Sequence, residues 1–295
     1  MIKKIALFGN KIKPEFFGYF LILCNKLIEE KVEIYIYKTF LENFDVQFSK
    51  ILNVNGTYTC FYDLNPDIDL MICVGGDGTF LEAVTIVRTL NIPIVGINSG
   101  RLGFLTNISK NEIESSINSI FKGNYNIESR YLLELTSPSP LFPDFNFALN
   151  DITVHKLDTS SMIEINALLN ENFLNCYRAD GLIVSTSTGS TAYSLSVGGP
   201  ILLPDANGFV ISPIAPHNLN ARPMVIPDNY IIKLTIQSRT ENCLISLDHR
   251  SIAIDSSAEL TIKKSSFSIK ILQCSDNNFF STLRQKLMWG VDARN

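Results

Sequence analysis

The sequence predicts two parts of different character: an α/β N-terminal domain built on a parallel, Rossmann-like sheet, and a β-rich, sandwich-like C-terminal domain. Three observations predict this. Over residues 1–124, continuous apolar runs alternate with amphipathic helical patterns, as in a parallel sheet covered on both faces. From Tyr125 to Leu272, short strand patterns follow one another between turn signals, and helix-period stretches are scarce. The last segment, 273–295, returns to a helical pattern and is expected to pack back on the first domain.

In the first part, Lys4–Phe8 reads as a short strand, Glu15–Glu30 as a helix and Val32–Tyr37 as a strand of β-branched and aromatic residues. Leu70–Val74 is a buried strand, Phe80–Leu90 a helix and Pro93–Ile97 a second buried strand. Asn111–Phe121 is a helix with Ile113, Ile117, Ile120 and Phe121 on one face. In the second part the strand signals are Tyr131–Leu135, Phe147–Val154, Ile163–Leu168, Leu182–Ser185, Ile231–Ile236, Cys243–Leu247 and Leu260–Ile262, with Pro138, Pro140 and Pro143 marking an early loop. Phe279–Trp289 is the closing helix, with Leu283 and Leu287 four residues apart.

Bulk properties narrow the function classes. The chain has 295 residues, 46% hydrophobic and 18% charged, and so resembles an ordinary globular protein. A net charge of −4 gives no electrostatic reason to expect nucleic acid as a partner. Cysteines at 24, 60, 73, 176, 243 and 274 include no C-x-x-C pair, and several lie in apolar stretches, as buried thiols in a reducing compartment do. His155, His217 and His249 form no ligand pattern. The apolar run Phe16–Cys24 after a basic start resembles a signal peptide. It is too short to span a bilayer, however, and Leu23 stands where a signal peptidase needs a small residue. A cytoplasmic protein with no membrane partner is the expectation.

Chemistry concentrates in a few segments. Gly75-Gly76-Asp77-Gly78-Thr79 follows a buried strand and leads into a helix, so its amides can approach a phosphate at the positive end of the helix dipole. A lone carboxylate in such a turn repels phosphate unless it holds a metal, accepts a proton or orients a hydroxyl. That conflict suggests phosphoryl chemistry. Gly-Gly-Asp-Gly is equally a good turn with no chemistry at all.

Asn98–Leu105 leaves the carboxyl end of another strand and carries Arg101, either near the same crevice or as a surface cation. Asn150-Asp151 interrupts a strand signal, as a ligand grip or a β-bulge would. Eight Ser or Thr residues lie between Ser185 and Ser196, with Tyr193 offering either a stacking face or a core ring. Ser212–His217, continuing to Arg222-Pro223, reads as a rigid proline loop in which His217 is structural.

Taken in order, these segments resemble the ATP-dependent NAD kinases. The resemblance rests on Gly75–Thr79, Leu102-Gly103-Phe104-Leu105, Asn150, Asp180-Gly181, Thr188–Ser194, Pro216-His217 and Arg222-Pro223, and it covers nearly the whole chain. It implies transfer of the γ-phosphoryl group of ATP to the 2′-hydroxyl of the adenosine ribose of NAD, giving NADP. It also implies Mg²⁺ or another divalent cation held mainly by ATP phosphates, NAD bound between two domains, and a homodimer or homotetramer.

By that resemblance Asp77 is the catalytic acid that accepts or orients the hydroxyl, and Gly75, Gly76, Gly78 and Thr79 form the phosphate loop. NAD-binding positions would be Asp77, Gly78, Asn150, Asp151, Arg178, Asp180, Thr191, Ala192, Tyr193, Ser194, Leu195 and Ser196, with Arg101, His217, Asp248 and Arg250 as further candidates. Three departures stand out. Asp151 replaces a usual Glu, Ser187 replaces a common proline, and Asp248-His249-Arg250 replaces Asp-Gly-Gln, which brings a cation near the ligand. Two alternatives share some of these features: a diacylglycerol-type lipid kinase with the same glycine turn, against which the polar Ser185–Ser196 stretch speaks, and a non-catalytic NAD-binding regulator.

Overall fold

The computed structural model describes residues 2–44, 52–138, 141–142, 144–157, 161–238, 241–274 and 278–288. Pro140, Pro143 and Trp289 lie outside the described residues. The chain forms two compact units, 1–129 with 269–295, and 130–268.

In the first unit, strands Lys4–Gly9, Glu33–Tyr37, Val54–Tyr58, Leu70–Gly75 and Ile94–Asn98 pair in parallel. In space their order is Val54–Tyr58, Glu33–Tyr37, Lys4–Gly9, Leu70–Gly75, Ile94–Asn98, with Ile271 of strand Glu259–Cys274 beside Ile94. The central strands are apolar on both faces because both are covered. Ile5, Leu7, Ile72 and Val74 join a core with the helices Phe17–Glu29 and Ile113–Phe121, and the intervening Ala6, Phe8, Met71 and Cys73 are equally buried. The Phe17–Glu29 helix buries Phe20, Leu23, Cys24 and Leu27, one face of a helical wheel.

The second unit is a sandwich. One sheet orders Asn172–Ala179, Ile163–Leu169, Ile232–Gln237 and Glu259–Cys274, joined by Tyr125–Ser137 and Phe147–Ala148. The other, wholly antiparallel, orders Met224–Pro227, Gly208–Ile214, Gly181–Ser185, Asp151–Lys156, Asn242–Leu247 and Arg250–Asp255. Alternate residues of both sheets meet in one core, among them Ile165, Leu234 and Leu260 from the first and Val154, Val184 and Ile245 from the second.

Several elements differ from expectation. The helix expected from Phe80 to Leu90 runs from Asp77 to Val87, so the catalytic candidate lies on its first turn, and it ends where Arg88 turns to φ 46. Phe147–Val154 is two strands, broken at Leu149-Asn150. Ser212-Pro213 belongs to a fully buried strand, and the proline loop begins after it. Pro213 faces Leu182 across one edge, while the other neighbour pairs only Gly208–Ile211, so its missing N–H falls where no strand requires it. The closing helix ends at Leu287, which is exposed, whereas Leu283 is buried. Among the described residues, no helix is long and apolar enough to cross a membrane.

Candidate active site

In the first unit the strand order reverses between Lys4–Gly9 and Leu70–Gly75, one leading on to Glu33–Tyr37 and the other to Ile94–Asn98. Ligands of open α/β sheets bind outside the carboxyl ends of strands at such a reversal. Gly75-Gly76-Asp77 leaves the sheet there. Asp77 opens the Asp77–Val87 helix, whose first N–H groups have no acceptor within the helix. Ideal Cβ atoms on Gly76 and Gly78 would meet nothing within 4 Å, so the backbone is open to a ligand, and Thr79 packs over Gly75.

The Asp77 carboxylate does not cap its own helix. It crosses to the loop that follows Ile94–Asn98. Oδ1 accepts the N–H of Leu105 (3.1 Å) and of Thr106 (3.0 Å) and the Thr106 hydroxyl (3.0 Å). Oδ2 accepts the N–H of Phe104 at 2.8 Å, and Lys286 Nζ lies 3.7 Å away. A Cβ on Gly103 would lie 1.9 Å from Oδ1, so only glycine lets the loop close on the carboxylate. Asn98, buried, braces the loop from behind. It donates to the Arg101 carbonyl (2.6 Å) and to Thr106 Oγ1 (2.9 Å) and accepts the Gly100 N–H (2.7 Å). Arg101 itself is exposed, and the loop uses its carbonyl.

A second aspartate organises the second unit. Asp248 sits in a tight turn at φ 53 and accepts the N–H of Leu149 (2.9 Å), Asn150 (2.7 Å) and Asp151 (3.2 Å). On the opposite side the Asn150 carbonyl accepts the Thr186 N–H at 2.9 Å, and a Cβ on Gly189 would lie 2.1 Å from that oxygen. The break between the strands is therefore clamped from both sides, and Asn150 is fixed at the end of the sheet. Asp151 is buried and accepts the Thr153 hydroxyl at 3.2 Å. Burial first, and then the charge of Asp248, pushes its carboxyl up to about 7. Burial also raises Asp248, against its three amide bonds and Arg250.

The Ser/Thr-rich stretch forms a 3-10 turn, Thr188–Thr191, and a short helix, Tyr193–Ser196. Several of its hydroxyls bond within the fold. Thr186 Oγ1 bonds the Leu149 carbonyl (2.6 Å), Ser190 Oγ the Ser187 carbonyl (2.7 Å), and buried Ser194 Oγ meets Ser212 Oγ (3.0 Å). The Ser194 hydroxyl is thus spent inside the fold. Thr191, Ala192 and Leu195 are half-buried, while Ser196 and the Tyr193 ring are exposed.

Arg178, Asp180 and His217 gather at the other end of strand Gly181–Ser185. Arg178 pairs with Glu164 (2.9 Å), Asp180 with Lys156 (2.6 Å), and the exposed His217 donates its backbone N–H to the Arg178 carbonyl (2.8 Å). At about 3.3 Å per residue, the six steps from Asp180 to Thr186, whose N–H meets the Asn150 carbonyl, put this group about 20 Å from Asn150, a distance that only an extended ligand can bridge. Arg250, expected as a cation near the ligand, is engaged by the protein's own loop. It bonds the carbonyls of Phe145 and Phe147 and lies over the Phe142 and Phe145 rings.

The family model of the ATP-NAD kinase N-terminal domain matches residues 7–125, and that of the C-terminal domain matches 149–274. The chain belongs to the ATP-NAD kinase family. It is 47% identical to the NAD kinase of Flavobacterium psychrophilum (99% of this chain, 100% of that one) and 44% identical to that of Cytophaga hutchinsonii (98% and 99%). Among solved structures it resembles an NAD kinase from Archaeoglobus fulgidus in complex with ATP, with TM-score 0.76, 25% identity and 97% and 98% of the two chains covered. It shares its fold with yeast NADH kinase complexed with NADH, with TM-score 0.82, 22% identity and 99% and 89% covered.

Among the described residues, no group of three or more His, Cys, Asp or Glu is placed to hold a metal ion. Magnesium needs only one or two carboxylates beside phosphate oxygens, so the residues of this chain fit an ion carried mainly by a triphosphate. Within the Asn98–Leu105 segment the residues pointed to Arg101 and not to Asn98, and Thr106 and Lys286 went unmarked. Only Asn98, at the carboxyl end of a buried strand, carried any signal.

Two outcomes follow from these contacts. Gly103→Ala forces the loop off Asp77, and a displacement of about 1 Å costs on the order of 10²-fold in rate. Steady-state turnover should fall by about that much, with an unchanged far-UV circular dichroism spectrum. Asp151 binds a proton more tightly folded than unfolded, so its contribution is full below about pH 4 and is lost as pH rises through about 7. Urea midpoints of the wild type should fall between pH 5 and 7.5, and Asp151→Asn should flatten that slope.

Proposed function

We propose that the chain transfers the γ-phosphoryl group of ATP to the 2′-hydroxyl of the adenosine ribose of NAD, with Asp77 as the acceptor of the hydroxyl proton. The observation that carries this reading is the fixed Asp77 carboxylate beside open glycine backbone at the strand-order reversal. Oδ1 already receives three donors, whereas Oδ2 has one close donor, so Oδ2 is the oxygen with room for a substrate hydroxyl. As the 2′-oxygen bonds to the γ-phosphorus, its proton passes to Oδ2 and the bond to the β–γ bridging oxygen breaks, releasing ADP. Phosphoryl transfer depends on alignment and charge neutralisation, and a carboxylate pinned by three amides supplies alignment at no reorganisation cost.

The first turn of the Asp77–Val87 helix, with Gly75, Gly76, Gly78 and Thr79, faces phosphate oxygens. A divalent cation would be held there mainly through the ATP phosphates and would supply neutralisation of their charge. Asn150, held in place by Asp248 and Thr186, recognises the adenosine ribose, and Asp151 shapes its surroundings from a buried position. Tyr193 offers its exposed ring to the adenine, with Thr191, Ala192 and Ser196 around it, and Asp180 with Arg178 takes the nicotinamide end. The family match to both parts of the chain favours this reading over a lipid kinase. A homo-oligomer working in the cytoplasm is the accompanying expectation.

The test is turnover with ATP, Mg²⁺ and NAD, compared between wild type and Asp77→Asn. The asparagine keeps one carbonyl oxygen, but when that oxygen holds the Oδ1 donors, its NH₂ faces the Phe104 N–H. The variant should lose about 10²-fold or more in turnover, keep NAD binding, and loosen the 103–106 loop in amide hydrogen exchange. Near-normal turnover would remove Asp77 from the chemistry.

A further inference from the structure

We infer that Lys286, on the closing helix of the first unit, is a further catalytic residue whose ammonium contacts the transferring phosphoryl group. The inference rests on the proposed phosphoryl transfer at Asp77. Four observations support it.

Lys286 Nζ lies 3.7 Å from Asp77 Oδ2, the oxygen with room for a substrate. A charge-assisted contact closes to about 2.7–2.9 Å, so the ammonium stands off from the carboxylate and is not consumed by it. It is also 4.5 Å from the centroid of the Phe104 ring, whose own amide donates to Oδ2. The aromatic face thus gives a second attraction that holds the cation beside the carboxylate. The Lys286 side chain remains 36% exposed, and an ammonium has three donors to offer.

The helix is built to present it. A reciprocal cap between Asn278 and Ser281 starts Phe279–Leu287. Phe279 packs at 6.0 Å on Phe104, Leu283 is buried, and Lys286 follows at the spacing i, i+4, i+7 on the same face. The packing of Phe279 on Phe104 and the amide of Phe104 on Asp77 join this helix to the carboxylate through one residue. The arrangement also answers an electrostatic problem. A carboxylate that accepts a hydroxyl proton must stand beside a triphosphate, and two anions repel. A cation within reach of both lowers that repulsion, and more so as charge gathers on the equatorial oxygens in the transition state.

The experiment compares wild type, Lys286→Met and Lys286→Arg with ATP, Mg²⁺ and NAD, measuring kcat, KM for each substrate and the thermal midpoint. Removing one such donor costs about 10²–10³-fold. Lys286→Met should therefore lose that much in kcat, with KM for NAD within threefold and an unchanged thermal midpoint. Lys286→Arg should recover at least tenfold of the loss. A kcat loss under tenfold in Lys286→Met overturns the inference. So does a larger loss that comes with a lowered midpoint and no recovery by arginine, because that pattern belongs to a helix-docking role. If the wild-type chain itself fails to phosphorylate NAD, the functional reading fails and this one with it. An active wild type with an indifferent Lys286 defeats the inference alone.

Discussion

The carboxylate of Asp77, gathered by the amides of Phe104, Leu105 and Thr106, is the contact on which the rest of the candidate site depends. It ties the loop after one central strand to the loop after its neighbour, and so fixes the rim of the crevice at the strand-order reversal. A charged acceptor with several amide donors is among the stronger hydrogen-bonding arrangements a loop can have. Every nearby specialisation serves it. Gly103 has no Cβ because the carboxylate occupies that space, Asn98 braces the loop from behind, and Thr106 relays between Asn98 and Asp77.

The second unit uses the same device for a different end. Asp248 gathers the amides of Leu149, Asn150 and Asp151 where a strand is interrupted, and Gly189 lets the Ser/Thr-rich turn press against Asn150 from the other side. In both units an aspartate orders backbone that no sheet or helix would hold. Irregular backbone of this kind is where binding residues are usually carried by a rigid scaffold. Asp151 holds its proton tightly there, first because it is buried and second because the charge of Asp248 lies beside it.

Much of this was legible in the residues. The buried parallel strands announced themselves as unbroken apolar runs, and the glycine turn at 75–78 stood out because three residues without side chains surround one acid. The weak strands were hidden. Val54–Tyr58 contains Asn55 and Gly56, poor strand formers, and Asn172–Ala179 carries a register shift between Phe173 and Asn175. Pro213 masked a buried strand because proline is tolerated only where a neighbour has ended. The Ser/Thr-rich stretch looked like an offering of hydroxyls to a ligand. Burial spends those of Thr186, Ser190 and Ser194 on the protein's own carbonyls and hydroxyls, which no local pattern reveals. The approach of Lys286 to Asp77 spans 209 residues of sequence, and Arg250 turned to a loop more than a hundred residues away. Such contacts are set by tertiary packing alone.

The most direct test is a crystal structure with NAD and a non-hydrolysable ATP analogue bound together. The account predicts the 2′-oxygen of the adenosine ribose within about 2.6–3.2 Å of Asp77 Oδ2, with the Phe104, Leu105 and Thr106 amides still on the carboxylate. An ordered dinucleotide whose 2′-hydroxyl lies beyond the reach of Asp77 would contradict it.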